Sequence, residues 1–187
     1  MKKYRALIAV FGIVILFLIH ATSAHSASLV GRIVDKKSGR PLAARVYIES
    51  AAGEWFFVQS AASQGSTVPY DKTNWIRKES FEKHTTVSAH PFRTDLPPGK
   101  YTITVERGKE YFTETKPLSL GQTDTEIDIR LRRWTDLAKR GWFSGETHIH
   151  RTLEELPNVI QAEDLNVAMP LTYWVTRSDT APTSGDR

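Results

Sequence analysis

Between Leu29 and Arg132 the chain repeats short segments in which apolar and polar residues alternate one by one. "ARVYIES" sets Val46 and Ile48 against Arg45, Tyr47 and Glu49. "KYTITVE" sets Tyr101, Ile103 and Val105 against Thr102, Thr104 and Glu106, and "TEIDIRLR" sets Ile127, Ile129 and Leu131 against Glu126, Asp128, Arg130 and Arg132. A period of two sends successive side chains to opposite faces of a strand, so each segment offers one dry face and one wet face. Antiparallel sheets that pack by a single face require that pattern, and a helix, with its 3.6-residue period, cannot use it. "LVGRIVD", "EWFFVQ" and "EYFTETKPL" complete the set of strands, and "KKSGRPL" and Leu96-Pro97-Pro98-Gly99 separate them. Pro followed by Gly fits a type II turn, because Pro presets its φ and Gly accepts a positive one. The expectation is a mainly β chain: an antiparallel β-sandwich over residues 28–133, followed by a short βαβ unit. Between Ser60 and His84 the alternation is lost. That stretch reads as a long loop or insertion, packed on the sandwich by Trp75, Ile76 and Phe81, with a strand resuming near Thr86 to Ala89.

After Arg133 the pattern changes. "WTDLAKRGW" fits a short helix, with Thr135 as N-cap and Gly141 as stop. "WFSGETHIH" reads as a strand. "PNVIQAEDL" reads as a helix with Pro157 in its first turn, where a missing N–H costs nothing, and with Val159, Ala162 and Leu165 along one side. "NVAMPLTYWV" reads as a second strand, weakened by Pro170. The tail at 178–187 is Ser, Thr, Pro, Gly and Asp, too polar to bury a core, and is expected to be disordered.

The N-terminus has the signal-peptide pattern. Lys2, Lys3 and Arg5 precede an apolar run from Leu7 to Ile19, and Thr22-Ser23-Ala24 supplies small residues for cleavage. Cleavage is expected after Ala24, with Ala27 as the second choice and an uncleaved anchor as the alternative. The chain is then exported, periplasmic or extracellular, and meets the membrane only through this segment. The net charge of +4 includes those three basic residues, so the mature chain is close to neutral. With no basic run beyond them, nucleic-acid binding is excluded. The absence of cysteine removes disulfides, thiol nucleophiles and Cys-ligated metals, leaving core burial or metal to hold an exported fold together.

"GWFSGETHIHR" carries the sharpest chemical signal. Residues i and i+2 of a strand share a face, so His148 and His150 can converge on one divalent ion while Ile149 points the other way. Glu146 lies on the histidines' face. Its carboxylate can orient an imidazole from behind, or cap the strand start. A bare His-x-His also occurs on ordinary exposed strands. Glu154, Glu155, Glu163 and Asp164 read as a solvated helix face rather than a catalytic cluster, and nothing in the spacing of His84 and His90 supports ligation. Trp55, Phe56, Phe57 and Trp75 read as core and loop packing, with a sugar-stacking platform as the alternative.

Two resemblances follow. The order of strand, "SGRPL" turn, strand and later "DLPPGKYTITVE" resembles the carboxypeptidase-regulatory or transthyretin-like domain. "GWFSGETHIHR" resembles the Gly-(Asp/Glu)-x-His-x-His opening of PHP-type metallohydrolases. Its continuation is similar to the CehA/McbA-like branch, through Arg151, Glu154-Glu155 with Pro157, Ala162-Glu163-Asp164-Leu165 and Tyr173-Trp174. That resemblance implies an incomplete PHP-like domain at 134–177, the start of a distorted α/β barrel. In complete members a multi-metal site of Zn, Mn or Fe hydrolyses small-molecule esters, phosphate and carbamate esters included, and only His148 and His150 map onto its ligands. No histidine follows His150. The expectation is therefore a truncated, inactive member that lacks the later ligands and holds no metal of its own. The alternative is a stand-alone β-sandwich module that binds a protein or glycan partner.

Overall fold

The computed structural model describes residues 26–171, together with the backbone pairing of Tyr173–Trp174 with Thr183–Ser184. The signal-peptide reading of residues 1–24, the side chains of Tyr173 and Trp174 and most of the tail at 178–187 lie outside the described residues. Among the described residues, no helix is long and apolar enough to cross a membrane.

The alternating segments form strands. In chain order they are β1 (Ala27–Asp35), β2 (Ala44–Ser50), β3 (Trp55–Phe56), β4 (Gln59–Ser60), β5 (Thr67–Thr73), β6 (Phe81–Val87), β7 (Phe92–Leu96), β8 (Gly99–Glu106), β9 (Glu114–Leu120) and β10 (Thr125–Leu131). One sheet runs β10-β1-β7-β4, the other β5-β6-β2-β8-β9 with β3 also paired to β2. Their dry faces meet in a single core. Leu29, Ile33, Phe92, Leu96, Ile129 and Leu131 come from the first sheet, and Val46, Ile48, Ile103, Val105 and Leu120 from the second. Each such side chain contributes about 1.5–3 kcal/mol of burial, and with no disulfide present this core carries the fold.

Three features depart from the sequence expectation. First, β1 and β10 pair in parallel, with Ile33 opposite Ile129, while β1 and β7 are antiparallel. A parallel pair needs a long crossover, and the whole passage of the chain through the second sheet supplies one. Second, "EWFFVQ" is split. Trp55 and Phe56 pair with β2, whereas Gln59 and Ser60 pair with β7. The segment changes sheets at Val58, which is buried and donates its N–H to Thr85 Oγ1 at 3.0 Å. Third, the stretch between Ser60 and His84 contains the β5–β6 hairpin in place of a loop. β5 is an edge strand, which tolerates Pro69, and both its faces are largely wet, so no alternation marks it.

Beyond the sandwich, Gly141 closes a 3-10 turn at Ala138–Arg140 with φ of 82°, and Leu137 rather than Thr135 occupies its cap. The expected βαβ unit is present as β11 (Gly145–Ile149), α1 (Leu156–Ala162) and β12 (Val167–Pro170), with β11 and β12 parallel. α1 is shorter than its periodicity suggests. Glu163 caps it, and Asp164 turns left-handed with φ of 54°. The unit does not begin a barrel among the described residues. α1 lies on the wet face of the larger sheet, against β2, β5 and β6.

Candidate functional site

The structure brings His148 and His150 together. Their Nε2 atoms lie 3.0 Å apart, and both residues are exposed, His148 on β11 and His150 just beyond its end. Glu146 accepts the backbone N–H of His148 at 2.9 Å. A tetrahedral metal site needs four donors, and the described residues contain no group of three or more His, Asp or Glu placed to hold an ion.

The acidic helix end behaves differently from a solvated face. Asp164 receives Arg107 Nη2 on Oδ1 and Arg133 Nη2 on Oδ2, each at 2.5 Å. Arg107 also donates to the carbonyls of Ala43 and Gln161. Glu163 pairs with Arg45 at 3.1 Å. Gly108 is indispensable to this docking: a Cβ there would lie 2.4 Å from the Glu163 carbonyl oxygen, and its φ of 44° is left-handed. Asn158, a buried residue of α1, donates to the carbonyls of Ser66 and Thr86. Ala162-Glu163-Asp164 is therefore a latch that fastens the C-terminal segment to the sandwich.

Beside Asn158, on the sheet face that α1 covers, His84 is 4% exposed and stacked between Tyr47 and Tyr70. Burial, together with the Arg45 and Arg151 guanidinium charges, lowers its pKa to about 4. Glu82 comes within 3.3 Å of Nδ1, but that carboxylate also pairs with Arg45, and desolvation dominates. The unfolded imidazole titrates near 6.5, so stability is complete above that pH and falls as acid protonates the unfolded chain first, down to about pH 4. Denaturant titrations between those pH values are expected to show a loss on the order of 2–3 kcal/mol that His84→Gln largely removes. An unchanged slope in the variant would assign the loss elsewhere.

The latch also forms one wall of an open cleft of about 860 Å³. Its other walls are the β1–β2 turn, the start of β9's approach at Glu110 and Tyr111, and the linker from Arg132 to Lys139. Asp35 shapes the turn by accepting the N–H groups of Lys37 and Ser38 at 3.0 and 2.7 Å. Burial opposes its ionisation, but these bonds, the Ser38 hydroxyl and the Tyr111 hydroxyl outweigh burial and hold its carboxyl below the usual value. Tyr111 lies under the guanidinium groups of both Arg107 and Arg133. The remaining acids are likewise committed: Glu110 and Asp164 to Arg133, and Asp136 to Lys139 and Arg133. Four of the cleft's cations are not. Lys36, Lys37 and Arg40 form no ion pair among the described residues, and Arg132 only stacks on Phe112, 3.9 Å from the ring centre. Trp134 is 58% exposed at this cleft and is oriented by an Nε1–H bond to the Lys109 carbonyl at 3.0 Å. The cleft thus presents uncommitted positive charge beside a fixed indole.

No protein-family model matches the chain, and no curated protein matches it. Among solved structures, it is similar to a DUF3823 family protein from Parabacteroides merdae, at 15% identity and a TM-score of 0.34. The similarity covers 59% of this chain and 48% of that one, so the chain spans about half of that protein's length. These findings correct both sequence resemblances. No family model of a PHP-type metallohydrolase or of a carboxypeptidase-regulatory domain matches. The reading of a truncated CehA/McbA-like hydrolase falls with that assignment. What stands is a mainly β chain with two packed sheets.

The sequence did not point to the cleft. Its residues come from five separated stretches between Asp35 and Asn166, which no local pattern connects. Of these aromatics, Phe56 packs edge-on to Tyr101 against the core, as expected, and Trp55 edge-on to the half-exposed Phe81, while Trp75 and Ile76 stand in solvent rather than packing on the sandwich.

Proposed function

We propose that the chain is an exported β-sandwich binding module whose cleft takes an acidic glycan. The observation that carries this is the charge state of the cleft: every acid on its walls is already committed, while Lys36, Lys37, Arg40 and Arg132 are free to meet an anion. An acidic sugar offers both halves of the complement. Its carboxylate or sulfate answers the cations, and its C–H face lies on an indole such as that of Trp134. Ser38, Thr135, Ser144 and Asn166 add polar groups suited to hydroxyls. The volume falls within the ~300–1,000 Å³ of small-ligand sites. Export is supported by the N-terminal basic and apolar pattern. Cleavage after Ala24 also leaves β1 whole, whereas cleavage after Ala27 would remove a buried strand residue.

Calorimetric titration with an oligogalacturonate tests the reading. Arg40→Glu combined with Lys37→Glu is expected to weaken binding about tenfold or more, because two of the free charges then repel the ligand. Raising the salt from about 0.05 to 0.5 M should weaken the unmodified chain comparably, since the cleft is open and screening reaches it. Equal affinity for a neutral oligosaccharide, or indifference to the charge reversal, would contradict the proposal.

A further inference from the structure

The β5–β6 hairpin outgrows its sheet. β6 pairs with β2 only through Thr85, Thr86 and Val87, so from His84 outward the two strands continue as a ribbon of their own, down to Thr73 opposite Phe81. None of its residues line the cleft. The tip is closed by its own bonds. Asn74 Oδ1 accepts the N–H groups of Ile76 and Arg77 at 2.8 and 2.9 Å, and the Asn74 N–H reaches the Ser80 carbonyl at 2.8 Å. That geometry holds Trp75 and Ile76 out in water, 81% and 69% exposed, and no large apolar side chain among the described residues is more exposed than Trp75. Around them the charges are uneven. Asp71 is taken by Lys83 and Glu82 by Arg45. Lys72, Arg77 and Lys78 form no ion pair among the described residues, and Glu79 is the one uncommitted acid of the tip.

We infer that this tip docks the protein on an anionic lipid surface. Trp75 and Ile76 enter the headgroup region, and Lys72, Arg77 and Lys78 lie among the phosphates. An apolar point inside a cationic collar complements such a surface in both respects: indoles favour the interface, and basic side chains favour anionic headgroups. A protein partner fits less well. A stable interface buries roughly 800 Å² on each side, more than a convex seven-residue tip offers.

The test uses the full chain, which is free of cysteine, so a single Thr73→Cys substitution places an environment-sensitive dye at the tip. The dye reports on the hairpin regardless of what the N-terminal apolar segment does. A blue shift is expected with vesicles containing phosphatidylglycerol and not with phosphatidylcholine alone. Trp75→Ser with Ile76→Ser should require at least tenfold more lipid for half the shift, and Arg77→Glu with Lys78→Glu likewise, with unchanged thermal melts because these side chains pack on nothing. The inference is overturned by a dye that stays in water on both vesicles, by a shift indifferent to these substitutions, or by a shift on phosphatidylcholine of equal size. It is also overturned by a shift that appears without vesicles as protein concentration rises, which would assign the tip to a second copy of the chain.

Discussion

Gly31→Val is expected to lower the melting temperature by about 10 °C or more. Gly31 lies on β1 directly opposite Phe92 of β7, and the ring lies flat over it: a Cβ at this position would fall 2.1 Å from Phe92 Cζ. Phe92 has no exposed surface and belongs to the central core, so the ring cannot swing outward without vacating its place. Valine must therefore displace it. The cost combines overpacking with the loss of a buried aromatic position, about 3–5 kcal/mol. For a chain of this size each kcal/mol moves the midpoint by roughly 2–4 °C. Calorimetry on the single variant and on Gly31→Val with Phe92→Ala checks the cause. Removing the ring makes room, so the double variant should be clearly less destabilised than the sum of the two singles. Strict additivity would place the damage somewhere other than the ring.

Asp164→Ala should release the C-terminal segment while leaving the sandwich folded. The carboxylate bridges Arg107 and Arg133, and all three side chains are largely buried, at 16%, 12% and 25% exposure. Deleting the carboxylate leaves the desolvated Arg107 guanidinium without its counter-charge and Arg133 with Glu110 and Asp136 alone, a local cost of about 2–4 kcal/mol. α1 has only seven residues and cannot persist on its own propensity, so loss of docking unfolds it. Hydrogen exchange should show protection lost across residues 156–166 and retained in β1, β2 and β8. Asp164→Asn separates charge from conformation. Asn tolerates the left-handed backbone almost as well, so its effect isolates the ion pairs and should be smaller. Protection of α1 in the alanine variant equal to that of the unmodified chain would show that the latch is elsewhere.

The sandwich was legible because its strands alternate: Val46 with Ile48, Ile103 with Val105 and Ile129 with Leu131 all face the core as read. The parallel pairing of β1 with β10 was not legible, since alternation identifies a buried face and says nothing of the neighbour's direction. The β5–β6 hairpin was missed because the edge strand β5 and the outer end of β6 are largely wet on both faces and have no face to mark. Glycine 31 in a strand reads as a weak point until its partner is known to be a phenylalanine. The latch was misread as a solvated helix face for a related reason. Asp164 finds its partners 57 and 31 residues back along the chain, and no local pattern carries that distance. "AEDL" therefore has a sufficient physical cause in this fold, docking against Arg45, Arg107 and Arg133, and its likeness to a metallohydrolase segment needs no metal site to explain it. The histidine pair converges as its spacing required, but convergence of two imidazoles is a property of any i, i+2 pair on a strand and does not by itself supply a ligand set.

The proposed glycan-binding cleft shares Arg133 and Asp164 with the latch. Backbone amide shifts of the ¹⁵N-labelled full chain, followed while an oligogalacturonate is added, test this most directly. The account predicts that the perturbed amides cluster at residues 35–40, 110–111, 132–139 and 164–166, together with the Trp134 indole N–H, and that Asp164→Ala disperses the cluster by removing one wall. Perturbations confined to the β5–β6 hairpin or to His148 and His150, or none at ligand concentrations that screen no charge, would contradict it.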